Sequence, residues 1–373
     1  MDGAFRFGVE EEYFLADATT GASPDSAAAD RFHKAAASVV KPASHELLKG
    51  QIEVQTEPGV NFDAARDQLR EMRRDLAKVA AEHGLLVFAA GSHPLAKSRE
   101  QDTTEKARYR RLEAELGLIA SRTMICATHI HVEAPEADGR IGVMNRLLPF
   151  LPLLLALSVS SPFWQGRDTR LKGYRLTAFA EWPRTGLPEL FRDQHEYQRF
   201  IDLLVAAGVV EDATFVWWHI RPSTRFPTIE LRVCDSCPRL DDAIAIAALY
   251  QALFRCVLRR PELNADMGPV DRGVCASNIW QAQQHGVEAE LIDVALAAAR
   301  PVAAHLDVAL ELVEQDAEAL GSSEWVGRTR DILKRGTSAD RQLAAYRNAK
   351  AEGAADDDAL REVVRSLAEE TAS

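Results

Sequence analysis

Apolar and polar positions change their period about two thirds of the way along the chain. Before that point short stretches alternate, as half-buried strands do; after it apolar residues recur every three to four positions, as in helices. Residues 5–15 read as a strand and 21–24 as a turn. Residues 51–56, "QIEVQT", alternate and stop at Pro58 and Gly59. Asn61 or Asp63 can then cap a helix that carries Leu69, Met72, Leu76 and Val79 on one face and ends near Gly84. A buried strand over 85–91, a charged helix over 103–118, a strand over 124–134 and a nearly all-apolar core helix over 145–160 follow. Residues 214–222 and 228–235 read as two strands joined by a short loop, and helices are predicted over 241–260, 288–318, 325–350 and 355–370.

No linker rich in Gly, Ser or Pro divides the chain, and no internal repeat is found. The pattern predicts one α+β domain over 1–373, sheet-rich over 1–240 and helical over 241–373, with a mostly antiparallel sheet.

Composition narrows the function classes. The 373 residues can bury roughly three quarters of their unfolded surface, enough for a sizeable core. With 44 Lys and Arg against 56 Asp and Glu the net charge is −12, which argues against a nucleic-acid partner. An acidic protein that handles an acidic substrate needs bound cations or a few well-placed arginines. The odd count of five cysteines argues against a disulfide scaffold. The apolar run over 147–159 holds Pro149 and Pro152 and is shorter than the ~20 residues a bilayer span takes. The opening "MDGAFRFGVEEEYF" lacks an export-signal pattern. The expectation is a cytoplasmic protein with no membrane partner.

Several common sites are absent: the phosphate-binding G-x-x-x-x-G-K-[ST] loop, a strand-borne G-x-G-x-x-G, H-E-x-x-H and G-x-S-x-G. The one C-x-x-C, Cys234 and Cys237, has no second pair for zinc and reads as two incidental thiols at a strand end.

What stands out is ionisable residues at period-two spacing on apolar strands. In "FGVEEEYFL", Glu10 and Glu12 fall on one face and Glu11 on the other. Glu53 sits mid-strand, with Glu46 seven residues earlier. His129 and His131 share a face, as do Glu230 and Arg232. Charged side chains are rarely buried unless paired or on a metal, and an oxygen-rich set with an imidazole suits Mg²⁺ or Mn²⁺. These residue types point to a nucleotide held through metals on a sheet. Arg221, Arg225 and Arg232 are candidates to neutralise phosphate, and Arg167, Arg170 and Arg175 lie in a turn-rich segment that could reach phosphates or a carboxylate.

In order along the chain stand "FGVEEEYFL", "GSHP", "RYRRL", "CATHIHV", "SPFWQGRDT", "WWHIRPS" and "TIELRVCD". Together they resemble the type 2 glutamate–cysteine ligase family, the carboxylate–amine ligases, from about residue 5 to about residue 300. The resemblance implies a glutamine-synthetase-like catalytic fold, a curved antiparallel sheet with helices packed behind it. It implies ATP-dependent amide formation, in which glutamate or a similar acid is phosphorylated on its carboxylate and an amine attacks the acyl phosphate. Carried over motif by motif, the metal ligands are Glu10, Glu12, Glu53, His129 and Glu230, with Glu46 a looser match. Arg232 and Arg221 are the expected catalytic cations, and Arg167, Arg175, Arg225 and Asn278 the expected nucleotide contacts. The implied partners are ATP, Mg²⁺ or Mn²⁺, a glutamate-like acid and an amine, and family members often form homodimers.

The chain departs from the family pattern at His219, usually Asp, at Pro227 and Glu133, usually Gly, and at Ile279 and Gln281, usually basic. These departures suggest an acid or amine other than glutamate and cysteine. A metal-dependent amide hydrolase and a non-catalytic nucleotide- or metal-binding relative are the alternatives, and dependence on ATP separates them.

Overall fold

The computed structural model describes residues 5–134 and 139–373. Met1–Ala4, where the segment read for an export signal begins, lie outside the described residues. The centre of the fold is an antiparallel sheet: β1 (Phe7–Asp17), β2 (Ala43–His45), β3 (Gln51–Gln55), β4 (Leu85–Phe88), β5 (Thr128–Glu133), β6 (Ile220–Pro222) and β7 (Thr228–Leu231). The spatial order is β6-β7-β5-β1-β3-β2. β4 also pairs with β1, continuing the β5 side of that strand where β5 ends.

Strand alternation sorts β1 between two environments. Phe7, Val9, Tyr13 and Leu15 point into the main core, together with Ile52, Val54, Ile130, Val132, Ile229 and Leu231. The opposite face carries Glu10 and Glu12, then turns apolar at Phe14 and Ala16, which join a second hydrophobic cluster. Glu11 sits on the core face fully buried, where Arg73 binds it at 2.7 and 2.9 Å. The same guanidinium donates to the Cys237 carbonyl at 2.8 Å, so the buried charge pair ties the first strand to the segment after β7.

Arg73 belongs to α2 (Phe62–Glu82), which follows α1 (Ser26–Val39). Asn61 caps α2, accepting from the Ala64 N–H at 2.9 Å, and Leu69, Leu76 and Val79 are buried as their spacing predicts. α1 was not predicted. Asp25 caps it, and Ala29, Phe32, His33 and Ala36 form its buried stripe.

The charged helix is α3 (Ala107–Leu116). The single apolar helix expected over 145–160 is instead α4 (Arg140–Leu147) and α5 (Leu151–Ser158), joined by a 3₁₀ turn at Leu148–Phe150 that holds Pro149. Residues 140–158 are together long and apolar enough to cross a membrane by length and composition, but most of that stretch is packed inside the fold. Next come α6 (Tyr174–Phe179) and α7 (Gln194–Ala206).

The helical part begins with α8 (Leu240–Arg259), buried along most of its length behind the sheet. α9 (Pro269–His285) was not predicted; its first turn is closed by Asp271, which accepts from the Gly268 N–H at 2.9 Å. The helix expected over 288–318 proves to be a hairpin, Glu290–Asp293 paired with Ala298–Pro301, followed by α10 (Val302–Ala319). The one expected over 325–350 is broken into Ser323–Gly327, Thr329–Arg335 and α11 (Ser338–Ala351), with Gly336 at φ +77° between the last two. α12 (Asp356–Ala372) closes the chain and packs on β4. The main core draws side chains from Phe5 through Ala339, so the sheet and the helices behind it share one interior.

Candidate active site

Register brings the ionisable residues together. Glu10 lies opposite His129, Glu12 opposite Glu53, Glu230 opposite His131 and Arg221 opposite Glu230. Directly opposed residues in an antiparallel pair point to the same face, so five strands contribute to one surface. That surface floors a cavity of about 580 Å³. Among the described residues two groups of three have ligand atoms within 4.8 Å of one another: Glu10, His129 and Glu230; and Glu12, Glu53 and His129. His129 stands between them, with Nδ1 3.5 Å from Glu10 and 3.9 Å from Glu230, and Nε2 3.9 Å from Glu12.

The two ends of the floor differ in charge. At one end Arg221 donates to Glu230 at 2.8 and 3.3 Å, and Arg232 binds the same carboxylate. Burial pushes the Glu230 carboxyl up, but the two guanidiniums and both histidines outweigh it and hold it well below the ordinary range. Burial also raises Glu10, and hydrogen bonds from His129 and His131 overcome that and hold it low. His131 rises because Glu10 and Glu230 outweigh the cost of burying its cation, whereas burial and then Arg232 push His129 down.

At the other end no guanidinium is bound to the carboxylates among the described residues, and Lys106 offsets only part of the crowding at Glu46. Burial, then Glu46, Glu10 and Glu12, hold Glu53 well above the carboxylate range. Burial and Glu12 push Glu46 up to about 8. Glu53 accepts from Ser44 at 3.1 Å, and Glu12 accepts from the Ala127 N–H at 2.8 Å. Like charges gathered in a half-buried site are costly without counterions. Carboxylate oxygens with one shared imidazole are the donor set of a hard divalent cation, so the residues fit such ions.

Behind the floor a knot of hydrogen bonds fixes the arginine end. Asp235 is fully buried and accepts from the Ser160 N–H at 2.9 Å and Ser161 Oγ at 2.7 Å. Gly91 packs so close to it that a Cβ there would stand 2.4 Å from the Asp235 carboxyl carbon. Arg175 lies 3.6 Å from Asp235 and donates to the carbonyls of Arg232 (2.7 Å) and Val233 (3.2 Å). Segments 91–94, 161–169 and 228–235 thus meet to hold the backbone that carries Glu230 and Arg232.

The expected site residues separate into two sets. Glu10, Glu12, Glu53, His129, Glu230, Arg221, Arg232, Arg175 and Arg225 all line the cavity. Arg175 does so with its guanidinium committed to backbone carbonyls, and Arg225 sits exposed in the loop between β6 and β7. Arg167 and Asn278 are not among the lining residues. Arg167 is exposed on a short hairpin, and Asn278 exchanges hydrogen bonds with the backbone of Ile292 at 2.7 and 3.0 Å, tethering the 290–301 hairpin. None of the five departures, His219, Pro227, Glu133, Ile279 and Gln281, lines the cavity either. Ile279 is core, and Glu133 pairs with Arg6 at 3.2 Å. The Cys234 and Cys237 thiols are free and buried.

One wall was missed by sequence reasoning. Tyr109, Leu112, Phe179, Trp182 and Trp217 line the cavity, and so does Lys106. These residues come from three distant segments. Only Trp217, in period-two step with Arg221, carried a signal that could have been read.

A model of glutamate–cysteine ligase family 2 matches residues 6–366. A Bradyrhizobium sp. (strain ORS 278) protein provisionally named glutamate–cysteine ligase 2 is 43% identical over 345 residues, covering 92% of this chain and 84% of that one. A Jannaschia sp. (strain CCS1) protein of the same provisional name is 43% identical over 372 residues, covering 99% and 97%. Among solved structures, a bifunctional glutathione synthetase from Pasteurella multocida superposes with TM-score 0.69 at 13% identity, covering 98% of this chain and 52% of that one. A Francisella tularensis glutamate–cysteine ligase in complex with AMP does so with TM-score 0.63 at 12% identity, covering 99% and 89%. These low identities speak for the fold, and the fold they share is the one built above. The full-length family match and the 43% identical relatives go further: the chain belongs to glutamate–cysteine ligase family 2.

Proposed function

We propose that the protein is an ATP-dependent carboxylate–amine ligase whose reaction takes place on the sheet face bounded by Glu10, Glu12, Glu53, His129 and Glu230. The observation that carries this reading is the pair of ligand groups sharing His129, with two arginines bound to Glu230. Divalent ions there, Mg²⁺ or Mn²⁺, would supply positive charge for the phosphate oxygens of ATP and for the carboxylate being activated.

The chain's own residues do the rest by position. Arg221 and Arg232 are held by Glu230 at the edge of the floor, where they neutralise the transferring phosphoryl group and the acid's second carboxylate. Arg221 is further braced by the Val216 carbonyl at 2.8 Å, so little reorganisation is needed when charge develops. Arg175 acts at one remove, holding the backbone of Arg232 and Val233. Arg225, exposed in the loop between β6 and β7 and lining the cavity, would meet a phosphate. No side-chain nucleophile is required: an amine aligned with an acyl phosphate in a walled cavity gains most from orientation. Glutamate or a similar acid is the expected carboxylate. The reading also puts the enzyme in the cytoplasm, which supplies ATP and keeps five unpaired thiols reduced, and makes it a homodimer on family resemblance alone.

The test is phosphate release from ATP and Mg²⁺ across a panel of acids and amines, each omitted in turn. Release that needs both an acid and an amine is expected, and Glu230→Gln is expected to lower it at least about a hundredfold, since it loosens both arginines and a metal ligand. Amide turnover without nucleotide, or an unchanged rate in Glu230→Gln, overturns the reading.

A further inference from the structure

Two residues of the floor stand where the strand ladders stop. The β1–β5 pairing ends at Glu11 opposite Thr128, one residue before Glu12, and β7 ends at Leu231, one residue before Arg232. Beyond those points side chains take the carbonyls. Ser236 Oγ donates to the Glu12 carbonyl at 2.7 Å, and Arg175 donates to the Arg232 carbonyl at 2.7 Å. The two arms meet at Ser160, in the irregular segment after α5. Its hydroxyl donates to the Ser236 carbonyl at 2.8 Å and its N–H to Asp235 Oδ2 at 2.9 Å, with Arg175 3.6 Å from Asp235 Oδ1. From the helical side the segment is held by α11: Gln342 Nε2 donates to the Ser160 carbonyl at 2.8 Å, and the Ala339 N–H to the Val159 carbonyl at 3.2 Å. Gln342, Ser160, Asp235, Ser236 and Arg175 are all buried, so bulk water does not compete for these bonds.

We propose that Gln342 is a positioning residue of the active site: by clamping Ser160 it fixes, through Ser236 and Asp235, the backbone that carries Glu12 on one arm and Arg232 on the other. The inference takes the ligase reading as its frame and adds to the site a residue of the C-terminal helical part. Glu12 belongs to one ligand group, and Arg232 binds Glu230 of the other, so a single clamp acts on both groups. Ligands and the residues that orient them have to be held within about 0.5 Å of their working positions. Without the Gln342 donor the Ser160 carbonyl is free to shift, and both arms shift with it. Outer partners of metal ligands typically carry about ten- to a hundredfold of the affinity. Gln342 acts at a further remove, so a smaller share is expected of it. Coupling is reciprocal: ions that order the floor also order α11.

The experiment is calorimetric titration of the full chain with Mn²⁺. It compares the unaltered protein with Gln342→Met, which keeps the side-chain length and removes the donors, and with Leu360→Ala, which opens a hole under α12 away from these bonds. Gln342→Met is expected to bind Mn²⁺ at least about threefold more weakly. Leu360→Ala, though less stable, is expected to bind as the unaltered protein does. Equal affinity in Gln342→Met and the unaltered protein overturns the proposal. So does an equal loss in Leu360→Ala, which would make Gln342 a contributor to stability alone. A chain that binds no Mn²⁺ leaves the clamp nothing to position and overturns it too. Amide hydrogen exchange in the unaltered protein covers the case in which Gln342→Met does not fold. Bound Mn²⁺ is expected to slow exchange over 159–161 and 338–342 more than over α7, and slowing no greater there than in α7 overturns the proposal. The two readings fail separately. If Gln342→Met loses Mn²⁺ affinity but no acid and amine together release phosphate from ATP, the ligase reading falls and the clamp stands. If release is acid- and amine-dependent but Gln342→Met binds Mn²⁺ as before, the clamp falls and the ligase reading stands.

Discussion

His93 shows how one side chain in a family motif can serve the scaffold. Its Nδ1 accepts the N–H groups of Leu95 and Ala96 at 3.2 and 3.1 Å, between the rings of Phe14 and Phe88. Burial pushes its pKa down to about 3, from an ordinary value of 6.5. Above pH 6.5 folded and unfolded chains are both neutral here and stability is flat. As pH falls from 6.5 toward 3 the unfolded chain takes up a proton that the fold refuses, so stability falls, by roughly 1.4 kcal/mol per pH unit at the steepest. Urea midpoints measured from pH 7 to pH 4 should therefore decline, and His93→Gln should flatten the decline even though it lowers the starting value. The Glu11–Arg73 pair makes a second residue-scale prediction. Arg73→Met strands a carboxylate with no water around it and should cost about 3–5 kcal/mol in denaturant unfolding. Replacing both, Glu11→Leu with Arg73→Met, should recover much of that loss, because two apolar side chains leave no charge unpaired.

Elements were legible where the local pattern and the tertiary environment agree. β1, β3, β5 and β7 alternate because one face meets the core and the other meets the cavity, so period two alone put Glu10 with Glu12, His129 with His131 and Glu230 with Arg232, while the set that adds Glu53 and joins the strands came from the family resemblance. Glu11, on the wrong face for the cavity, was separable for the same reason. The aromatic wall was not legible, since 106–112, 179–182 and 217 are adjacent only through folding. α1 was missed because its buried stripe is modest, three apolar residues and His33 out of fourteen, though Asp25 was a readable cap. The 290–301 hairpin was read as helix because "LIDVALAAARP" is rich in helix-forming Leu and Ala, and what overrides propensity is tertiary: Asn278 bonds both backbone groups of Ile292. Asn278→Ala should therefore act on the element. Amide hydrogen exchange at 290–301 should speed up, with a stability loss of about 1–3 kcal/mol from the unpaired backbone groups. A change confined to the affinity for ATP, with exchange at the hairpin unaltered, would point instead to nucleotide contact.

For the molecule as a whole, the acidic balance concerns the site as much as the surface. The net charge is −12, and five carboxylates are drawn into one cavity where cations are few at the Glu12, Glu46 and Glu53 end. Folding assembles that cluster and the unfolded chain does not, so the repulsion is a property of the folded state. Ions that bind the assembled cluster relieve it and stabilise the fold by mass action, by roughly 2.7 kcal/mol at a hundred times the dissociation constant. Spread over the unfolding entropy of a chain this long, that corresponds to a rise of about 3 °C in Tm. General screening of an acidic surface would also raise Tm, so the comparison has to be made at matched ionic strength. Mg²⁺ or Mn²⁺ should raise Tm where NaCl of equal ionic strength does not, and a chelator should reverse the effect. Glu53→Gln removes a carboxylate from the crowded end. It should raise the Tm of the metal-free protein, because the fold no longer has to hold a carboxyl that burial and its acidic neighbours keep well above the ordinary range, and shrink the metal-induced rise, because a ligand is gone. A variant that left the metal response intact would place the ions elsewhere than on the sheet face.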